Sequence, residues 1–309
     1  MYICRVLLAA LVAAAAGTAT LNTRPVIGIL TQETVDDDLK PFGKAYIPAS
    51  YVKFVESAGS RVAPIKLNLT YVEYEEIFNS INGLMLIGGS VNLQTSDFAK
   101  AANIFYKLAL QANDKGDYFP IWGTCLGFQL LTVLVADENL LTYTPLENKS
   151  VPLNFSQAAY ISRMFRNFTP ELMKALSQEP LTGNFHHYGI SKQVFFQNKK
   201  LVNFFSDLAT NVAMNGVEFV SVMEGKKYPF YGVQWHPEVS AFQWNAELAF
   251  PHSPNAIWVA HLLADFFINE ARKNFHRFSD PKAEEAALIF KYIPMYVGNF
   301  SFYTQIYFF

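Results

Sequence analysis

The sequence predicts an α/β fold with a mostly parallel sheet. Short, nearly continuous apolar runs alternate with segments of helical period along the first half of the chain, which is typical of βαβ units. Such runs suit strands that are buried on both faces of a parallel sheet. Two runs end in glycine-rich turns, at Gly88-Gly89 and at residues 123–127. Because the functional crevice of an open α/β sheet lies beyond the carboxyl ends of its strands, we expect both turns to line it.

The elements of the first half follow in order. The predicted strands are residues 24–30, 61–65, 83–87 and the run that leads into Cys125. The predicted helices are residues 48–58, 71–78, 98–112 and 128–135. The first helix has a proline at its start and Gly59 after its end, as helix boundaries often do. Residues 31–43 are polar and predict a surface loop.

The second half is less regular. Residues 140–205 predict loops with some strand and a helix at 170–176, whereas residues 217–222 and 229–235 predict an antiparallel pair. A long amphipathic helix is predicted at 255–275. The tail after Asp280 is rich in Phe and Tyr and is interrupted by proline and glycine, so we expect it to pack on the body or at a subunit contact rather than anchor in a membrane.

The first residues have the pattern of a targeting signal. Arg5 precedes eleven apolar residues, 6–16, and small residues follow, so residues 1–19 are predicted to be a secretory signal peptide. The apolar run is too short to span a membrane, which takes about 20 residues. No repeat or long linker divides the remainder, and residues 20–309 are predicted to form one domain with an aromatic-rich C-terminal extension.

Glycosylation motifs agree with the secretory route. Five N-x-S/T sequons are present, none with a central proline, and they predict a secreted or lysosomal glycoprotein with these positions near the surface. The sequon asparagines are Asn68, Asn148, Asn154, Asn167 and Asn299.

Charge and motif content exclude several functions. The formal net charge is −2 and basic residues form no cluster beyond two Lys-Lys pairs, so no nucleic-acid partner is expected. The sequence has no HExxH motif, no zinc-type Cys/His spacing and no glycine-rich phosphate loop. We therefore expect neither a metal nor a cofactor.

The candidate nucleophile is Cys125. The pattern Gly123-Thr124-Cys125-Leu126-Gly127 lies between a strand and a helix, where flanking glycines permit a tight bend that pushes the central side chain out of the sheet. The positive end of the helix dipole favours the thiolate, which is the nucleophilic form. A buried, inert cysteine is the alternative. With Cys4 inside the predicted signal peptide, Cys125 has no partner for an intramolecular disulfide. Pairing between chains is a further alternative, and the glycines favour a reactive thiol.

A thiolate needs a base, and His236 is the candidate. It follows a buried-looking strand, and Pro237 allows Glu238 to turn back toward the imidazole as its orienting partner. His261 and His276 belong to the last amphipathic helix or its end, and His252 lies in a loop. The oxyanion hole is expected at the Leu126 N–H and at Gly88-Gly89.

These motifs resemble known proteins. Gly88-Gly89, residues 123–127 and Gln234-Trp235-His236-Pro237-Glu238 resemble the class I glutamine amidotransferase-like superfamily with its Cys-His-Glu triad. Residues 118–127, 162–165, 184–186 and 228–238, together with the signal peptide, resemble the gamma-glutamyl hydrolase (folate conjugase) family over essentially all of residues 20–309.

The resemblance implies a three-layer, doubly wound, mostly parallel sheet of class I glutamine amidotransferase type. It implies a cofactor-free, secreted or lysosomal homodimer that hydrolyses gamma-glutamyl bonds of folylpoly-gamma-glutamates and antifolate polyglutamates through a thioester. Carried over by position, Cys125 would be the nucleophile, His236 the base, Glu238 the orienter, and His186 an additional residue near the substrate.

Two other functions stay open. A glutaminase that feeds ammonia to a synthase would use the same triad, although this chain carries no synthase domain. A non-catalytic glycoprotein that binds folate conjugates is the other, although a binding module has no need of a free thiol.

The charge of a polyglutamate tail adds one expectation. Each glutamate carries an α-carboxylate, so the crevice beside Cys125 should present cations or N–H donors. Arginine matches a carboxylate with two parallel hydrogen bonds, and Arg163 is the candidate for this role.

Overall fold

The computed structural model describes residues 21–309, and the predicted signal peptide, residues 1–19, lies outside them. Fourteen strands and ten α-helices are present in the described part. The strands are β1 (Val26–Leu30), β2 (Gln32–Glu33), β3 (Ala45–Pro48), β4 (Arg61–Ile65), β5 (Gly83–Leu86), β6 (Ile121–Thr124), β7 (Thr142–Val151), β8 (Asn154–Phe155), β9 (Thr182–Gly189), β10 (Phe205–Val212), β11 (Glu218–Gly225), β12 (Phe230–Val233), β13 (Met295–Tyr296) and β14 (Gln305–Phe308). The helices are α1 (Ala49–Ser57), α2 (Tyr71–Phe78), α3 (Asp97–Asp114), α4 (Leu126–Ala136), α5 (Pro170–Gln178), α6 (Lys192–Gln197), α7 (Lys199–Phe204), α8 (Val239–Phe242), α9 (Pro254–Ala271) and α10 (Pro281–Ala287).

An eight-stranded sheet forms the centre of the molecule, in the order β4-β1-β5-β6-β12-β11-β10-β8. The strands from β4 to β12 are parallel, and β11, β10 and β8 continue the sheet antiparallel. The predicted α/β fold with a mostly parallel sheet is confirmed, as is the antiparallel pair β11–β12. All residues of β1, β5, β6 and β12 are buried, which explains why these strands are apolar throughout.

Two groups of helices accompany the sheet. Helix α9 contacts α1, α5 and α8, whereas α3 contacts α2 and α4, and α4 contacts α7. A three-layer arrangement has one layer of helices on each face of the sheet, and the two groups of helices agree with it. The core between the layers is aromatic, with Trp122 packed against Phe54 and Phe267.

Most predicted boundaries agree closely with the structure because local signals set them. Thr70 and Glu73 form a reciprocal capping box that starts α2, and Ser253 caps α9 just before its first-turn proline. The predicted helix 255–275 was too long at its end. The buried side chain of Asn274 bonds to the Tyr118 carbonyl and to Asn82, which draws the chain away from the helix after Ala271.

The region 140–205 contains more order than its sequence pattern predicts. Strands β7 and β9 pair antiparallel as a separate two-stranded sheet. Two irregularities shift the register of this pair, between Tyr143 and Leu146 and between Leu146 and Lys149, and they interrupt the alternation by which a half-buried strand is recognised.

The C-terminal tail packs on the body of the protein. Strands β13 and β14 extend a four-stranded antiparallel sheet, β13-β14-β3-β2, and Ile306 is fully buried there. Strand β2 lies within residues 31–43, so this segment is only partly the loop that its polarity predicts. None of the helices in residues 21–309 has the length and apolar character needed to cross a membrane.

Candidate active site

Cys125 occupies a sharp bend between β6 and α4. Its backbone has φ 49° and ψ −105°, a conformation that L-residues rarely adopt, and its side chain is buried but borders a cavity. The flanking glycines are needed for space rather than for their own dihedrals. A Cβ on Gly127 would lie 2.1 Å from the Leu86 carbonyl oxygen, and one on Gly123 would lie 2.6 Å from the Gly127 carbonyl. The strain of the bend is therefore held at the cysteine.

His236 and Glu238 form a buried pair next to this bend. The imidazole Nδ1 lies 2.7 Å from Oε1 of Glu238, and the His236 backbone N–H donates to the Gly183 carbonyl at 2.9 Å. Burial lowers the pKa of His236, but the charges of Glu238 and Cys125 outweigh it and raise the pKa well above the ordinary histidine value. The raised pKa favours the protonated imidazole, and this imidazole lies next to Cys125.

Gly88 lies next to both Cys125 and His236. A Cβ on Gly88 would lie 2.9 Å from Cε1 of His236 and 3.3 Å from Cβ of Cys125. The backbone N–H of Gly88 donates to the hydroxyl of Tyr51 at 2.9 Å, and this hydroxyl lies 3.4 Å from Nδ1 of His236. Sequence reasoning missed Tyr51, whose apolar helical position gave no signal except that a buried tyrosine needs a hydrogen-bond partner.

Gln32 fixes the turn that follows Gly88. Its Oε1 accepts from the Ser90 N–H at 3.1 Å, and its Nε2 donates to the Gly88 carbonyl at 3.4 Å. Gly89 between them has φ 155°, and a Cβ there would overlap the Gln32 amide, at 1.8 Å from Oε1. The N–H groups of Gly89 and Leu126 donate to no other group among residues 21–309, whereas that of Gly88 is taken by Tyr51.

Gln234 contacts the sulfur from the other side. Its Nε2 lies 3.7 Å from Sγ of Cys125, and its Oε1 accepts from Nε2 of Gln129 at 3.2 Å. Gln129 also donates to the Tyr188 carbonyl at 2.7 Å and so ties β9 to the start of α4. Sequence reasoning included Gln234 in its motif but gave it no role. The buried amide of Gln234 next to the Cys125 thiol identifies this residue as part of the site.

His186 lies on β9 and faces the second of two cavities beside Cys125. It is buried against Phe219, and neither ring nitrogen has a hydrogen-bond partner in the described part of the chain. Burial and, secondarily, the charge of His236 lower the pKa of His186 to about 3. The ring is therefore neutral, and its one donor and one acceptor are buried without a partner among the described residues.

The two cavities meet at Cys125 and differ in their walls. The smaller one, about 230 Å³, is lined by His236, by Phe185, and by Phe302 and Tyr303 of the C-terminal tail. The larger one, about 700 Å³, extends past His186, Gln129 and Tyr188. The rings of Phe185 and Phe302 pack against His236, at 5.8 and 6.3 Å between centroids. The aromatic tail thus forms part of the wall around His236.

Arg163 does not belong to this site, and its predicted role is corrected. Its Nε bonds to Oε1 of Glu224 at 3.1 Å, and its guanidinium also donates to the Gly225 carbonyl. Gly225 lies next to the amino end of β12, whereas the cavities lie at the carboxyl end. Arg163 lies between Cys125 and His186 in the sequence, but this position does not determine the edge of the sheet on which it lies.

His252, His276 and the five sequon asparagines line neither cavity. His276 bonds to Asp117 and to the Phe78 carbonyl, both at 2.7 Å, and His252 bonds to the Ser240 carbonyl at 2.8 Å. Of the five sequon asparagines, only Asn148 is partly buried, with its amide bonded to the backbone of residues 247 and 249. The four exposed ones are Asn68, Asn154, Asn167 and Asn299.

Fold and site together define an α/β protein with a mostly parallel sheet and a cysteine at the elbow after a central parallel strand. A solved structure from Thermoplasma acidophilum, of a protein assigned to a GMP synthase, has this fold. It aligns with a TM-score of 0.50 and 15% identity, over 80% of this chain and 94% of that chain.

The particular family follows from the sequence. Residues 25–238 match the model of the peptidase C26 family, and the chain belongs to this family. It is 51% identical to the gamma-glutamyl hydrolase of Homo sapiens over 93% of this chain and 90% of that one, and 50% identical to that of Mus musculus with the same coverage. The protein is therefore a hydrolase of a cysteine peptidase family, and the predicted family resemblance is confirmed.

Proposed function

We propose that the protein hydrolyses gamma-glutamyl bonds in folylpoly-gamma-glutamates and antifolate polyglutamates, with Cys125 as nucleophile, His236 as acid and base, and Glu238 as orienter. The observation that carries the proposal is the bend that exposes Cys125 to a cavity next to the buried His236–Glu238 pair. The similarity to gamma-glutamyl hydrolases supports the choice of bond.

The first half of the reaction forms a thioester. The Cys125 thiolate attacks the γ-carbonyl carbon, and the carbonyl π electrons move to oxygen to give a tetrahedral oxyanion. The N–H groups of Gly89 and Leu126, which have no other acceptor among residues 21–309, are the donors for this oxyanion. The oxyanion then re-forms the carbonyl while His236 gives its proton to the leaving nitrogen, the C–N bond breaks, and the glutamate portion on the carboxyl-terminal side of the bond leaves as an amine.

The second half regenerates the thiolate. His236, now neutral, takes a proton from water while the water oxygen attacks the thioester carbon. The C–S bond breaks, the acyl fragment leaves as a carboxylic acid, and the proton on His236 restores the ion pair with the thiolate. Glu238 keeps Nδ1 of His236 hydrogen-bonded, so that Nε2 is the nitrogen that exchanges the proton.

Neutral His186 has the chemistry to bind the substrate near the reacting carbon. The residue lines the larger cavity, and its two ring nitrogens are buried and unpartnered among the described residues. A neutral imidazole donates one hydrogen bond and accepts another, so a small shift of the ring toward the cavity would let it bind a substrate amide. A peptide-like gamma-glutamyl amide offers both a carbonyl and an N–H. We assign His186 to this contact rather than to proton transfer, because a group whose pKa is lowered to about 3 stays neutral during turnover.

The test compares wild type with Cys125→Ala on pteroyl-γ-polyglutamates of defined length, with product analysis. We expect the variant to be folded and inactive, and stoichiometric alkylation to modify Cys125 in the wild type. Free glutamine is the control substrate, because a glutaminase would release ammonia from it. Near-normal turnover by Cys125→Ala would exclude the cysteine mechanism, and cleavage of glutamine alone would exclude the proposed substrate.

We also propose that the protein acts as a secreted or lysosomal glycoprotein and as a homodimer. The pattern of residues 1–19 and the four exposed sequon asparagines support the secretory route. Cell fractionation with glycosidase-induced mass shifts tests the location and the glycans, and light scattering of the purified protein tests the dimer.

A further inference from the structure

The cavities beside Cys125 contain little positive charge for an anionic substrate. Among residues 21–309, no lysine or arginine lines either cavity, and two carboxylates do, Asp36 and Glu147. Of the three histidines in the walls, His236 is paired with Glu238 and His186 is held neutral. The third histidine, His187, lines the larger cavity.

His187 is exposed where a substrate would lie. Its side chain is 61% exposed, and its Nε2 lies 3.7 Å from Oε2 of Glu147, whose side chain is 46% exposed. This separation is long for a hydrogen bond, so the pair is held loosely and water or another carboxylate can reach the imidazole. Glu147 itself lines both cavities and faces the same space.

We infer that His187 binds an α-carboxylate of the polyglutamate tail, and that Glu147 is its partner in the free enzyme, exchanged for the substrate carboxylate on binding. The inference rests on the proposed function and adds the group that recognises the anionic tail. A protonated imidazole is attracted to a carboxylate and donates a charge-assisted hydrogen bond to it. Glu147 in the same wall repels the tail, and a protonated His187 reduces this repulsion.

Several ionisable groups surround His187. The ionisable groups near it are Glu147 from β7 and, beside it on β9, His186 and Tyr188, while Lys149 of β7 lines neither cavity. Histidine is the side chain whose charge ordinarily changes between pH 5 and 8. We therefore expect tail binding to be stronger at pH 5.5 than at pH 8, and the difference to depend on His187.

The experiment measures KM and kcat for a pteroyl-γ-polyglutamate with free α-carboxylates and for the matching α-carboxamide. The variants are His187→Gln, His187→Lys and Glu147→Gln. His261→Gln is the matched control, because His261 is an exposed histidine on α9 that stacks on Trp258 and lines neither cavity.

At pH 5.5 we expect His187→Gln to raise KM for the carboxylate substrate roughly 3- to 10-fold, the range of a half-exposed charge-assisted hydrogen bond, with kcat within about twofold. The carboxamide should show no such change. His187→Lys should keep a low KM up to pH 8, where wild type loses it, and Glu147→Gln should lower KM. His261→Gln should behave as wild type.

Failure of this inference is distinct from failure of the proposed function. If wild type cleaves neither substrate, the proposed function is wrong. If wild type cleaves the carboxylate substrate and His187→Gln leaves its KM unchanged at pH 5.5, or raises KM equally for the carboxamide, the role of His187 is wrong. The role of His187 is also wrong if KM depends on pH in His187→Lys, because that variant keeps a cation at this position at both pH values.

Discussion

Replacing Cys125 by glycine and by alanine measures the strain stored at the bend. A non-glycine residue at φ 49° and ψ −105° costs of the order of 1–3 kcal/mol, and both cysteine and alanine carry this cost. Glycine avoids it but loses more chain entropy on folding, about 0.5–1 kcal/mol relative to alanine. The difference leaves Cys125→Gly more stable than Cys125→Ala by about 1 kcal/mol. At an ordinary position the order is reversed.

The assay is urea unfolding of the two variants under identical conditions. Neither variant has the thiol, so activity does not enter and the comparison isolates the backbone. Ala175→Gly in α5 is the control, because this half-buried alanine has helical geometry and its replacement should destabilise by about 1 kcal/mol. If Cys125→Ala proves as stable as Cys125→Gly or more stable, the bend stores no strain and the reasoning is refuted.

Three further predictions concern the groups around the sulfur. Burial and then the charge of His236 lower the pKa of His186 from 6.5 to about 3. Between these two pH values the imidazole is protonated in the unfolded chain but not in the native state, so the free energy of unfolding falls as the pH is lowered. The loss is roughly 2 kcal/mol at pH 5. Urea unfolding at pH 5 and 7.5 should show that His186→Gln removes this loss. If the free energy of unfolding falls equally in wild type and variant between the two pH values, the prediction is wrong. His236→Ala should reduce kcat/KM more than Glu238→Ala, because it removes the proton-transfer group rather than its support, and near-normal kcat/KM in His236→Ala would mean that another residue is the base. Tyr51→Phe leaves the buried Gly88 N–H without an acceptor and should lower the free energy of unfolding by about 1–3 kcal/mol, whereas unchanged urea unfolding would show that water replaces the hydroxyl.

Much of the fold could be predicted because the signals are local. Strands β1, β4, β5 and β6 are short apolar runs, and the helices between them have caps or glycine stops in the sequence. Cys125, His236 and Glu238 could be identified for the same reason, since each lies at the end of a buried strand in a short motif. Parallel strands bring their carboxyl ends to one edge of the sheet, so motifs more than a hundred residues apart meet there.

The remainder of the site depends on contacts that no local pattern encodes. Tyr51 and Gln32 reach the Gly88 turn from other elements, Tyr51 through one hydrogen bond and Gln32 through two. His186 lies on a strand whose irregular register hides its alternation. The C-terminal tail could be expected to pack on the body, but its aromatic composition does not indicate that Phe302 packs next to His236.

The central claim is that the sulfur of Cys125 forms a thioester with a gamma-glutamyl carbonyl. Intact-mass and peptide analysis of the enzyme, quenched with acid during turnover of a pteroyl-γ-polyglutamate, tests this claim directly. We expect a fraction of the wild-type enzyme to carry an acyl adduct on Cys125 that hydroxylamine releases, and Cys125→Ala to form neither adduct nor product. Product formation by Cys125→Ala, or an adduct that maps to another residue, would contradict the account.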